Sequence, residues 1–181
     1  LESRERSEIV LVLMPFLGAG HREWTAVMDN LQPRYRCVGV DMPGFGDAAD
    51  VPGYSVSQMV AYLATRLGEL KLDSFVLVGH SMSGKVAMAA ARAHADDPKS
   101  FSGLAGIILV ASSPPVPEPI DDNKREEMIE NLGTMRDGAR QYAEDFIRNN
   151  VVLEPSSVTL QMLIDDVLRM NPAAWIAWLE Q

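Results

Sequence analysis

Apolar residues along the first 112 positions fall into four continuous runs rather than alternating ones: Ile9 to Met14, Tyr35 to Val40, Phe75 to Val78 and Gly106 to Ala111. Continuous runs of this length mark parallel strands covered on both faces, where no position looks onto water. The segments between them carry helical spacing instead. Arg22 to Leu31 places Trp24 and Val27 or Met28 on one side. Ser55 caps a second helix with Gln58 three residues on, and Met59, Leu63, Leu67 and Leu70 descend one face. A third, alanine-rich helix follows the Phe75 strand and runs to about Ala95, where Asp96-Asp97-Pro98 stops it. Strand and helix in alternation predict an α/β fold with a doubly wound, mainly parallel sheet. Right-handed crossovers with helices on both faces predict the spatial order Tyr35–Val40, Ile9–Met14, Phe75–Val78, Gly106–Ala111.

The pattern then changes. Residues Ser112 to Pro119 form a proline-rich exit, and helical periodicity continues beyond it without a strand. Helices are expected near Asp122–Leu132, Thr134–Asn149, Ser156–Met170 and from Pro172 to the end. Their apolar faces carry Met128, Met135, Phe146, Met162, Leu163, Val167, Trp175 and Trp178. The expected division is therefore an α/β core over 1–112 and a helical cap over 113–181. The Met and Trp faces read either as plain core or as the lining of an apolar pocket above the sheet.

The chemistry concentrates where the third strand meets its helix, at Gly79-His80-Ser81-Met82-Ser83-Gly84. Strand, tight turn of small residues and helix place Ser81 at the apex of an elbow, the position of a nucleophile. Gly79, Ser83 and Gly84 are small because such a turn forces backbone segments together. The following helix aims its unsatisfied N–H groups and positive dipole end at the serine, where an oxyanion develops during acyl transfer.

Composition narrows the picture. With 181 residues and 47% hydrophobic content the chain can bury a sizeable core. A net charge of -9 without a Lys/Arg cluster argues against nucleic acid and against an anionic membrane surface as partners. No stretch approaches the ~18 apolar residues of a membrane span. The single cysteine, Cys37, cannot form an intrachain disulfide and reads as a small core residue, which fits a reducing, cytoplasmic location. The N-terminus lacks an apolar signal region and an initiating Met, so the chain is expected to be a piece of a longer one. No metal ion and no cofactor are expected.

Four pieces in order, Met14-Pro15-Phe16-Leu17-Gly18-Ala19-Gly20 with Trp24 beyond it, Asp41-Met42-Pro43-Gly44-Phe45-Gly46, the elbow, and a helical stretch after the fourth run, make the chain resemble an α/β-hydrolase of the esterase and lipase kind. The resemblance covers essentially the whole length. It departs from the family at Met14 and Pro15, where His-Gly is usual, and at Ser83, where the elbow usually has Gly. It implies Ser81 as nucleophile, the backbone N–H groups of Phe16 and Met82 as oxyanion hole, and a small-molecule ester as substrate. Serine at the apex favours acyl transfer to water over dehalogenase or epoxide-hydrolase chemistry.

A serine nucleophile needs a base, and only His21, His80 and His94 exist. His80 adjoins Ser81 on the elbow, where neighbouring side chains diverge, so it is expected to orient or pack. His94 lies 13 positions along the helix from Ser81, roughly 20 Å at about 1.5 Å per residue, and is structural. His21 stands beside the oxyanion loop as an auxiliary candidate, yet no neighbouring sequence supplies a carboxylate to hold its tautomer. Asp121 and Asp122 read as surface or helix-start residues rather than a triad acid. Two readings stand: a serine hydrolase whose acid and base lie outside these residues, and a catalytically silent module that binds a small molecule or a protein partner. The strands at both ends of the sheet would present apolar edges, to be covered by a further portion of chain or by a second copy in a homodimer.

Overall fold

The computed structural model describes residues 8–180. Four parallel strands, β1 (Val10–Met14), β2 (Arg36–Gly39), β3 (Phe75–His80) and β4 (Leu104–Val110), form one sheet in the order β2-β1-β3-β4, as the crossover rule predicts. The strand period of two explains how one sheet serves two layers. Val10, Val12, Met14, Phe75 and Leu77 belong to the larger buried cluster, whereas Leu11, Leu13 and Val78 belong to a second one with Trp24, Met28 and Leu31. The second layer is α1 (Thr25–Leu31), preceded by a 3-10 turn at His21–Trp24. Met28 and not Val27 faces the sheet, Val27 being exposed. On the first face lie α2 (Val56–Leu70), closed at its start by the reciprocal Ser55–Gln58 box, and α3 (Met82–Asp96). Met59, Leu63 and Leu67 of α2 and Val86, Ala87 and Ala90 of α3 are the residues these helices bury.

Three expectations are corrected. β4 begins at Leu104 rather than Gly106, because a register shift between Phe75 and Val76 lets two earlier residues join the ladder, and Ala111 leaves it with φ +41°. The helix expected over Thr134–Asn149 begins only at Ala139, since Met135 (φ +50°) and Gly138 (φ +88°) are both left-handed. Cys37 is half-buried at the margin of the smaller cluster rather than inside it.

Beyond β4 come α4 (Asp122–Met128), continued by a π-helical turn over Ile129–Gly133, then α5 (Ala139–Asn149), α6 (Ser157–Arg169) and α7 (Pro172–Leu179). Their buried faces, among them Leu132, Ala143, Ile147, Val167 and Trp175, join Met14, Leu17, Met42 and Phe45 in one continuous cluster. A charged contact fixes the seat: Asp166, 1% exposed, accepts from Gly20 N–H at 3.0 Å and from Arg22 at 3.1 Å, and Arg169 bridges Asp166 to Asp47. At the far edge of the sheet, Ile108, Leu109 and Val110 of β4 are 48%, 41% and 37% exposed. Among the described residues no helix is long and apolar enough to cross a membrane.

Candidate active site

Ser81 sits between β3 and α3 with φ +49° and ψ -113°, a conformation a residue with a Cβ avoids. Such strain costs about 1–3 kcal/mol and persists only where the surroundings enforce it. They do so here from both sides. Ser81 N–H donates to Val110 O at 3.0 Å, and Ser81 O accepts from Gly84 N–H and Ser113 N–H, each at 3.0 Å. A Cβ on Gly79 would stand 2.5 Å from Ser83 O and 2.7 Å from Gly84 Cα, and one on Gly84 would run into Ser112. The small residues of the elbow are thus required by contact. Ser83, buried where the related motif has glycine, directs its hydroxyl to Pro15 O and ties the elbow to the loop after β1.

Ser81 opens onto a cavity of about 860 Å³ that Phe16 also lines. Buried Leu17, Met128, Trp178 and Leu179, with Tyr142 and Phe146, give it an apolar lining. Met128, Phe146 and Trp178 therefore line a pocket, while Leu163, Val167 and Trp175 are core. The mouth is acidic: Glu118, Asp121, Glu127 and Asp145 face one cation, Lys124. Among the described residues none of these four carboxylates is ion-paired with Lys or Arg; Asp121 instead caps α4 through Asn123 N–H and Lys124 N–H.

Met82, the first residue of α3, carries one of the N–H groups the helix itself leaves unsatisfied. The Phe16 N–H points to Glu23, with its nitrogen 3.4 Å from Glu23 Oε2. Glu23 Oε1 in turn lies 3.0 Å from His80 Nδ1. His80 is held by this bond and between the rings of Phe16 and Trp24, with centroids 5.3 and 5.9 Å away, which is a packing and orienting position. Burial pushes the Glu23 carboxyl above the ordinary glutamate range, while the His80 bond pulls it the other way.

His21 does have its carboxylate. Its Nδ1 lies 3.0 Å from Asp41 Oδ2, and Asp41 also accepts the N–H groups of His21 and Asp47. The Asp41 bond holds His21 above the ordinary histidine range against the opposing effect of burial. Burial would raise Asp41, but the His21 ring and the two backbone N–H groups keep it below the ordinary aspartate range. His21 Nδ1 is thus spent on Asp41, and neither His21 nor His80 nor His94 lines the cavity. The side-chain donor atoms of His21, Asp41 and Asp47 lie within 4.8 Å of one another. They are committed to each other and to two guanidinium groups, Arg22 and Arg169 on Asp47, a poor setting for a cation. Glu23 and the Asp41 partnership escaped the sequence reading, whose only signal was Asp41 at the head of its Pro-Gly turn.

A parallel sheet whose third strand turns through a strained serine into a helix, beside a pocket that later helices help to line, defines a hydrolase-type scaffold. The sequence model of the Alpha/beta hydrolase family matches residues 11–181, and the chain belongs to that family. Its relatives include 2-succinyl-6-hydroxy-2,4-cyclohexadiene-1-carboxylate synthase of Photorhabdus laumondii, 30% identical over 115 residues, 64% of this chain and 39% of that one. Another is the pimeloyl-[acyl-carrier protein] methyl ester esterase of Vibrio vulnificus, 33% identical over 104 residues, 58% of this chain and 37% of that one. Among solved structures, an esterase from Exiguobacterium antarcticum superposes with TM-score 0.80 at 20% identity, over 97% of this chain and 66% of that one. A bromoperoxidase from Bacillus anthracis superposes with TM-score 0.78 at 18% identity, over 96% and 66%. The chain thus spans about two fifths of these curated relatives and about two thirds of the structural ones.

Proposed function

We propose that the whole protein is a serine hydrolase that cleaves a small, fairly apolar carboxylic ester through an acyl-enzyme on Ser81. The observation that carries this reading is Ser81 itself, strained at the head of α3 and open to the cavity. Ser81 Oγ attacks the ester carbonyl as a base takes its proton. The N–H groups of Met82 and Phe16 receive the negative oxygen of the tetrahedral intermediate, which collapses to expel the alcohol and leave the acyl group on Oγ. Water then adds to the acyl carbon and the acid departs, restoring the serine. No described histidine lines the cavity, so the base and its acid come from residues outside this chain. Residues 113–181 act as the cap that closes the pocket over the core of residues 1–112. The protein works in a reducing compartment, the cytoplasm, with no metal or cofactor in the reaction.

The pocket also speaks to substrate. Two of the relatives are named for a carboxylate-bearing and an acyl-carrier-linked compound. A mouth with four carboxylates and one lysine repels an anionic group, and an apolar lining accepts an alkyl or aryl acyl chain, so the substrate here is a neutral ester. In the full-length protein a fluorophosphonate should label Ser81, and Ser81→Ala should remove both labelling and turnover of neutral short-chain esters. Turnover retained in Ser81→Ala would move the active site elsewhere. The rival reading, a silent module that binds without turnover, draws on the absence of histidine from the cavity lining. It wins if the wild-type protein binds neutral esters yet neither reacts with the probe nor hydrolyses them.

A further inference from the structure

Glu23 is a buried acid that the proposed reaction does not use, yet it occupies the amide the reaction needs. Its side chain is 8% exposed and makes two bonds, one to the Phe16 N–H and one to the ring of His80, the residue before Ser81. At 3.4 Å the first is near the outer limit of a hydrogen bond. An oxyanion approaching the same N–H to about 2.7–3.1 Å takes the amide from it and then lies within about 6.5 Å of the carboxylate. Two negative charges at that separation, shielded from water, repel strongly enough to slow the reaction by about tenfold or more. Among the described residues, the group that bonds the carboxylate and can answer it as a cation is His80, reaching it from β3. The other charged group facing Glu23 is Asp166 of α6, whose charge is already answered by Arg22 and Arg169.

We propose that Glu23 is a positioning residue that holds the Phe16 N–H in the resting protein and yields it to the oxyanion, with His80 neutralising its charge while it does so. This rests on Ser81 being the nucleophile. A cation at His80 answers the Glu23 carboxylate while the oxyanion forms, and without one the carboxylate stands bare beside it. Glu23→Gln keeps the shape and an oxygen for the Phe16 N–H but has no charge to neutralise. His80→Asn keeps a donor toward Glu23 but cannot become a cation.

The test is the rate at which a neutral fluorophosphonate labels Ser81 in the full-length protein, compared among wild type, the two single variants and the double variant at about pH 6. His80→Asn should label about tenfold more slowly than wild type, and adding Glu23→Gln should restore the rate. His80→Asn within about twofold of wild type, or a double variant no faster than His80→Asn, overturns the proposal. Should Glu23→Gln fail to fold, His80→Asn alone decides, because an undiminished rate removes the need for a cation. A wild-type protein labelled normally beside an equally fast His80→Asn refutes the role of Glu23 alone. One whose Ser81 never reacts refutes the hydrolase reading and this inference with it.

Discussion

Replacing Gly79 by alanine tests how tightly the elbow is built. The added Cβ would lie 2.5 Å from Ser83 O and 2.7 Å from both Gly84 Cα and Gly84 N, where ordinary Cβ contacts do not fall below 3.0 Å. All three obstacles are backbone atoms in the first turn of α3, so no side chain can swing aside. Relief requires α3 to withdraw from β3, against the Gly84 N–H bond to Ser81 O and the packing of Val86, Ala87 and Ala90 beneath the helix. Overpacking in a core costs about 1–3 kcal/mol, and rigid backbone obstacles place this case near the upper end. At about 2–4 °C per kcal/mol for a domain of this size, Tm should fall by about 6–12 °C. Gly68 supplies the control: it lies inside α2, nothing stands within 4 Å of its Cβ, and Gly68→Ala should gain about 0.5–1 kcal/mol. Thermal unfolding of both variants, followed by circular dichroism at one protein concentration, separates the two signs. A Gly79→Ala protein melting within about 1 °C of wild type would refute the steric account of the elbow.

Ser83→Ala removes the hydroxyl that serves Pro15 O and leaves a buried carbonyl unpaired, so denaturant unfolding should show a loss of about 1–3 kcal/mol with the slope m unchanged. The His21–Asp41 pair should stabilise within a pH window. His21 is raised in the fold, so its contribution is complete below 6.5 and lost as pH rises through the folded value. Asp41 is lowered, so its contribution is present above 3.8 and lost as pH falls through its folded value. The stability gap between wild type and His21→Asn, measured by urea denaturation, should be widest between those limits and shrink toward alkaline pH; a gap independent of pH contradicts it. The exposed face of Ile108, Leu109 and Val110 on β4 should make the purified 181-residue chain self-associate. Light scattering that finds a stable, dilute monomer with cooperative unfolding would show that the edge is tolerated.

The strands were legible because a doubly covered parallel sheet writes itself as unbroken apolar runs, and their order because crossover handedness leaves few choices. Boundaries were less so. The early start of β4 depends on a register shift that no spacing in Leu104-Ala105-Gly106 announces, and the late start of α5 on a left-handed Met135, a residue type that rarely adopts it. Only Gly138 gave a hint of that break. The elbow was readable as a motif because its contacts are local, within a few residues of Ser81. His21 and Asp41 are 20 residues apart and meet because β1 and β2 are parallel neighbours whose loops leave the same end of the sheet. Glu23 and His80 are 57 apart and meet for the same reason across β1 and β3. Partnerships made at the carboxyl ends of strands carry no periodicity, which is why the chemistry around the serine was harder to read than the serine.

The loop from Pro15 to Gly20 shows what those partnerships accomplish. It is held from three directions: the elbow takes Pro15 O through Ser83, the 3-10 turn takes Phe16 N–H through Glu23, and α6 takes Gly20 N–H through Asp166. A Cβ at Gly18 would press on Val167 at 3.2 Å and one at Gly20 on Asp166 at 2.9 Å, so the loop and α6 are also in close contact. Burying a carboxylate as deeply as Asp166 adds little net stability even with two arginines beside it, because desolvation offsets the attraction. What such a group can supply is a unique register, since a shift of α6 would strand its charge. Loop, elbow and α6 are therefore fixed to one another by directional bonds rather than by apolar packing alone. That is the condition under which the two backbone amides proposed for the oxyanion hole, Phe16 and Met82 on separate segments, would hold a fixed spacing.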